Sequence, residues 1–133
     1  MAMRRLCERA LGGPRFRLFG SGTQSRDFTF VDDAVDATVR AMTCVDPGPV
    51  LNVGGGQGAT MNEVIRIVED HAGHSLDVER VGGQRGDVFR TCADTTLARV
   101  HLGWRPTVDL VTGLRAELDF VAGRRLLTAA VGA

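Results

Sequence analysis

Between Gly20 and Asp33 the chain reads GSGTQSRDFTFVDD, and no single secondary structure accommodates that run. Gly20 to Ser25 is a polar, glycine-rich turn. Asp27 to Val31 alternates as an extended segment carrying Phe28 and Phe30. Asp32 is then a good N-cap, with Asp33 and Asp36 where a helix dipole favours carboxylates. A turn, a strand and a helix start in so short a stretch point to an α/β fold of short alternating elements.

The flanking sequence keeps the same rhythm. Ala2 to Leu11 reads as a helix ended by Gly12, Gly13 and Pro14, and Phe16 to Phe19 as a short strand. Ala34, Val35, Thr38, Val39 and Met42 give the helix after Asp32 an apolar stripe, and Asp46 to Pro49 breaks it. Val50 to Val53 reads as a short buried strand. Thr60-Met61-Asn62-Glu63 is a capping box opening a helix that Gly73 ends, with Val64, Ile65, Ile67, Val68 and His71 on its buried face. Leu76 to Val81 alternates as a strand, and Gly82 to Gly86 is a loop. Asp94 caps a short helix over Thr95 to Leu102. After the Gly103-Trp104-Arg105-Pro106 turn, Asp109 caps a last helix with Leu110, Leu114, Leu118 and Val121 on one side. No linker or repeat divides the chain, so residues 1–125 are expected to form one domain and 126–133 a fraying tail.

Composition excludes several functions. Formal net charge is zero over 133 residues, so no global field favours nucleic acid or an anionic membrane. No apolar run approaches the roughly 20 residues of a membrane span. Cys7, Cys44 and Cys92 are an odd, widely spaced set without CxxC, which fits a reducing cytoplasm and buried small hydrophobes rather than disulfides or zinc. All sixteen basic residues are Arg. Every fixed cation is therefore a guanidinium, suited to bidentate phosphate contact and unable to serve as a low-pKa amine.

Val50 to Ala59 invites a dinucleotide-binding interpretation. It runs from an expected strand through Gly54-Gly55-Gly56-Gln57-Gly58-Ala59 into a helix, with Glu79 about twenty residues on, where a ribose-binding acid belongs. Against this, the Thr60 capping box already satisfies the helix N-terminus, and no further βα units follow Glu79. A structural glycine turn is the better reading.

A different set of motifs fits together. Gly20 through Arg26-Asp27-Phe28 to Val31-Asp32-Asp33-Ala34 is followed in order by Asn52-Val53-Gly54, Thr60, Gly86-Asp87-Val88, Ala93-Asp94, Leu102-Gly103-Trp104-Arg105-Pro106 and Gly113-Leu114. This series resembles the C-terminal part of NAD-dependent epimerases/dehydratases of the extended short-chain dehydrogenase/reductase family, of the UDP-glucose 4-epimerase type, and covers nearly all of the chain. The resemblance implies a substrate-binding portion that holds a nucleotide-sugar, UDP- or dTDP-linked. It matches Arg26 to an arginine gripping the diphosphate, Arg17 and Phe19 to the edge strand flanking the nucleotide base, and Asp87 to an acid at the ribose or base end. Relatives carry a second phosphate arginine three residues before that acid. Here Gln84 occupies the position, with Arg85 adjacent.

The resemblance also implies an N-terminal Rossmann half with an NAD loop, a catalytic Ser/Thr and a Tyr-x-x-x-Lys pair. This sequence has no tyrosine and no lysine, so it assigns no catalytic, NAD-binding or metal residue. NAD is expected for the full-length family and not for this chain alone. The partner expected is the absent NAD-binding domain, with an exposed apolar patch over Asp32 to Met42 and Val50 to Val53 wherever that domain is lacking. The alternatives are a fragment completed in trans and a non-catalytic ligand-binding or regulatory module. Arg85-Gly86-Asp87 is read as a chance tripeptide, His71 and His74 as no metal pair, Asp32-Asp33 as capping rather than paired catalytic acids, and Trp104 as a core anchor.

Overall fold

The computed structural model describes residues 2–44 and 50–131. The elements follow in the order α1 (Ala2–Ala10), β1 (Phe16–Phe19), β2 (Ser25–Asp27), α2 (Val31–Thr43), β3 (Gly58–Thr60), α3 (Met61–Ala72), β4 (Val78–Val81), α4 (Thr96–Leu102) and α5 (Leu110–Val131). The fold is α/β with short strands between helices, as the sequence predicts. The expected break at Asp46 to Pro49 lies outside the described residues.

Two compact units interleave along the chain, which is why no single linker marks them. The first comprises Met1–Gln24, Thr60–Asp87 and Val111–Ala133, and the second Ser25–Ala59 and Val88–Leu110.

In the first unit β1 and β4 pair in parallel, Phe16 opposite Val78 and Phe19 opposite Val81. Alternation buries Phe16 and Leu18 on one face and turns Arg17 outward. The outward face carries cross-strand ion pairs, Arg15 with Asp77 at 2.8 Å and Arg17 with Glu79 at 3.6 Å. Leu6, Cys7 and Ala10 of α1, Val64, Ile65 and Val68 of α3, Leu76, and Leu114, Leu118 and Val121 of α5 are buried with Phe16 and Leu18. The capping box at Thr60 is present in both directions, and Gly73 ends α3 in the left-handed conformation. His71 departs from its expected place on the buried face. It is exposed and reaches Asp119 of α5 at 3.6 Å, because the α3 stripe closes with Val68. The backbone of α5 stays helical to Val131, beyond the point where a fraying tail is expected.

In the second unit α2 turns its apolar stripe outward, in line with the exposed patch expected over Asp32 to Met42. Phe30, not Asp32, is the N-cap, and it contributes no side-chain cap bond. The buried residues of α2 are Asp33 and Ala37, while Val31, Val35, Val39 and Met42 are exposed. The cause is Trp104, fully buried with Ala37 and Ala98 and donating from Nε1 to the Asp33 carbonyl at 3.0 Å. Arg40 reinforces this face by donating to the Gly103 carbonyl at 3.1 Å. The expected Val50–Val53 strand does not form, and Val50 is 91% exposed. Instead β3 (Gly58–Thr60) pairs with β2, which starts two residues before the expected Asp27–Val31 segment and ends at Asp27. Asp94 accepts from the Thr96 N–H at 2.9 Å one residue before the observed cap, Thr95.

Candidate functional site

Five of the six residues expected at a nucleotide, namely Arg17, Phe19, Gln84, Arg85 and Asp87, lie in the first unit. Gln84 to Asp87 forms a turn closed by the Asp87 N–H donating to the Gln84 carbonyl at 3.2 Å. Gly86 sits at its third position with φ of 87°, a value that disfavours any side chain there. Gln84 and Arg85 are both exposed, on successive positions of this turn. The structure therefore leaves a guanidinium one residue away from where the second phosphate arginine is expected.

Phe19 ends β1, and the Gly20 N–H donates to the Val81 carbonyl at 2.9 Å, extending the ladder into the turn. Arg17 lies over the Phe19 ring, 5.6 Å from its centroid, while also facing Glu79. One face of the ring is thereby covered by a cation. Phe19 and Asp87 are brought together by Gln24, a residue the sequence motifs do not single out. Its Nε2 donates to the Phe19 carbonyl and to Asp87 Oδ2, each at 3.4 Å, and its Oε1 accepts from the Gly22 N–H at 3.1 Å. A Cβ at Gly20 would collide with the Gln24 amide, so glycine and glutamine occupy one another's space.

Arg26 lies in the second unit, half-buried in β2, and its Nη1 donates to the Ser25 carbonyl at 2.8 Å. Its neighbour Asp27 accepts from the Ala93 N–H through Oδ2 at 2.9 Å. The glycine loop packs onto this acid. A Cβ at Gly54 would lie 2.5 Å from Ala93 Cβ and 2.6 Å from Asp27 Oδ2, and one at Gly55 would collide with the Phe28 carbonyl. With no strand before it and β3 after it, the loop lacks the strand–turn–helix setting of a dinucleotide cradle. Gly54, Gly55 and Gly58 are held by close packing against Asp27, Phe28, Ala93 and Ser25.

Among the described residues no cluster of three or more His, Cys, Asp or Glu is placed to hold a metal, and no helix is long and apolar enough to cross a membrane. Cys7 is buried and Cys44 half-buried, whereas Cys92 is exposed, contrary to a buried role for all three thiols. A shallow cleft between α3 and β4, lined by Ile65, Arg66, Leu76, Val78 and Arg80, includes none of the expected nucleotide residues.

Comparison with known proteins decides the family. The profile of the NAD dependent epimerase/dehydratase family matches residues 1–54. The UDP-glucose 4-epimerase of Mycolicibacterium smegmatis is 36% identical over 113 residues, covering 85% of this chain and 36% of that protein. The chain belongs to the NAD-dependent epimerase/dehydratase family, as a match to its C-terminal portion. A GDP-mannose 3,5-epimerase of Oryza sativa is also 36% identical, over 76% of this chain and 26% of its own length. Among solved structures, the UDP-glucuronic acid 4-epimerase of Bacillus cereus, in complex with UDP-glucuronic acid and NAD, superposes with a TM-score of 0.87 at 35% identity. That match takes in 92% of this chain and 40% of the epimerase. The chain thus spans well under half the length of the relatives it matches.

Proposed function

We propose that this chain is the nucleotide-sugar-binding portion of a NAD-dependent epimerase/dehydratase and is not catalytic by itself. The observation that carries the reading is the join of Phe19 to Asp87 beside the Gln84–Asp87 turn, within a chain whose relatives act on nucleotide-sugars. In this reading Asp87 and the Phe19 edge of β1 hold the nucleoside end, and Arg26 and Arg85 contact the diphosphate. Arg17 supports Phe19 from its ring face.

NAD supplies transient oxidation of the sugar in such enzymes, with a tyrosine moving the proton. With no tyrosine or lysine in this sequence, the proton transfer in this reading falls to a residue outside it. The exposed apolar face of α2 suits a surface for the NAD-binding domain, whether that domain belongs to the same polypeptide or is supplied in trans. Three cysteines in the thiol form accord with a cytoplasmic setting.

Isothermal titration with UDP-glucose tests the reading. The wild-type chain is expected to bind, and Arg26→Ala to weaken binding at least tenfold with its thermal midpoint retained. Binding unchanged by Arg26→Ala would move the diphosphate elsewhere. No binding by the wild-type chain would favour a non-catalytic module with another ligand. Recovery of epimerase turnover on adding a separately expressed NAD-binding domain would establish completion in trans.

A further inference from the structure

We propose that Gln24 is a positioning residue that fixes the Asp87 carboxylate against the β1 backbone, setting the distance across which the nucleoside of a nucleotide-sugar is recognised. The proposal rests on the functional reading above and adds a residue to which the family resemblance assigns no role.

The chemistry at this position asks for a primary amide. Two acceptors, the Phe19 carbonyl and Asp87 Oδ2, face Nε2, which carries two hydrogens. One donor, the Gly22 N–H, faces Oε1. The three partners fix which end of the amide is nitrogen. A glutamate would present no hydrogen to either acceptor at neutral pH and would oppose the Asp87 charge. A leucine of similar size would supply neither donor nor acceptor. The surrounding chain is shaped to admit this side chain. Gly20 has no Cβ to strike the amide, and the backbone at Gly22 is buried against Asn62 and Leu18. Asn62 in turn donates to the Ser21 carbonyl at 3.1 Å, and Arg80 donates to that same carbonyl at 2.8 Å. These two bonds hold the Gly20–Ser25 turn from outside. Both Nε2 contacts, at 3.4 Å, are longer than the usual N–H···O range of about 2.7–3.2 Å and add little to the stability of the fold. Such a shared amide orients a carboxylate more than it stabilises the fold.

Two measurements test this. The first needs no ligand: the Gln24 side-chain amide proton shifts are followed by NMR against pH in the wild type and in Asp87→Asn. The shifts are expected to titrate in the wild type and to lose that step in the variant. An identical titration in both proteins would overturn the contact. The second compares UDP with inorganic pyrophosphate as probes. Gln24→Leu is expected to weaken UDP binding at least tenfold while pyrophosphate binding changes less than twofold. Gln24→Glu is expected to lose UDP binding at neutral pH and to recover part of it as pH falls and the new carboxyl regains a hydrogen to donate. Equal losses for both probes, or no recovery in acid, would make Gln24 merely structural. If the wild-type chain binds no UDP, the nucleoside reading fails, and the amide titration still decides whether Gln24 holds Asp87.

Discussion

The Asp33 carboxylate accepts three hydrogen bonds inside the second unit. They come from the Thr107 N–H at 2.9 Å, the Thr107 hydroxyl at 2.7 Å and the Val108 N–H at 3.1 Å. The residue is only 4% exposed, so the charge survives because its oxygens are saturated. Burial alone pushes its pKa up. The Thr107 hydroxyl and the two N–H groups outweigh that and hold it below the ordinary value of 3.8. A depressed folded-state pKa gives a contribution fully present above the unfolded value and lost as pH falls through the folded one. Asp33→Asn is therefore expected to cost about 1.5–3 kcal/mol near neutrality, the worth of hydrogen bonds to a charged group. Its penalty should shrink as pH falls from the unfolded value of 3.8 toward the lower folded one, through which the wild type loses the same charge. Urea unfolding of both proteins from pH 7 to pH 3 measures this. Curves that stay parallel throughout would remove the carboxylate charge from the account.

Elements whose chemistry is local were the ones legible in the sequence. The Thr60–Glu63 capping box and the Gly73 stop define α3 locally, so its limits follow from its own residues. The Val50–Val53 strand failed because an apolar run specifies burial but not a partner, and in this chain it has none among the described residues. The α2 stripe was legible in its period and in its exposure, but not in what holds it outward. What chose the face was Trp104, about seventy positions on, bonding the Asp33 carbonyl. The candidate site divides the same way. Phe19 and Asp87 stand in recognisable motifs, whereas Gln24 acquires its role only when folding closes a separation of 63 residues. Packing of the glycine loop supplies a test at this scale. Gly54→Ala is expected to destabilise by about 1–3 kcal/mol, because the new methyl meets Ala93 and Asp27. NAD binding does not enter that prediction, so a thermal midpoint equal to wild type would return the loop to consideration as a ligand cradle.

On the scale of the whole chain, the second unit places more large apolar side chains at its surface than its small Ala37–Ala98–Trp104 core conceals. Val31, Val35, Val39 and Met42 are 63%, 54%, 52% and 80% exposed and recur at helical spacing along α2. The opposite face is anchored through Asp33, Ala37 and Arg40, so rolling the helix to hide the stripe would break the Trp104 and Gly103 contacts. A fixed outward apolar stripe raises the free energy of the chain in water at roughly 25 cal/mol for each Å² that a partner would cover. The chain alone is accordingly expected to self-associate and to bind a hydrophobic dye. Val35→Glu with Val39→Glu should abolish both while shifting stability by no more than about 0.5 kcal/mol, since both side chains are over half exposed. Light scattering and dye fluorescence at matched concentrations check the first half, and chemical denaturation the second. The same double variant, supplied with the proposed NAD-binding domain, should fail to recover turnover even though UDP still binds. A wild-type chain that stays monodisperse, or a variant rescued as well as wild type, would mean that α2 faces water in the working protein and that the completing domain docks elsewhere.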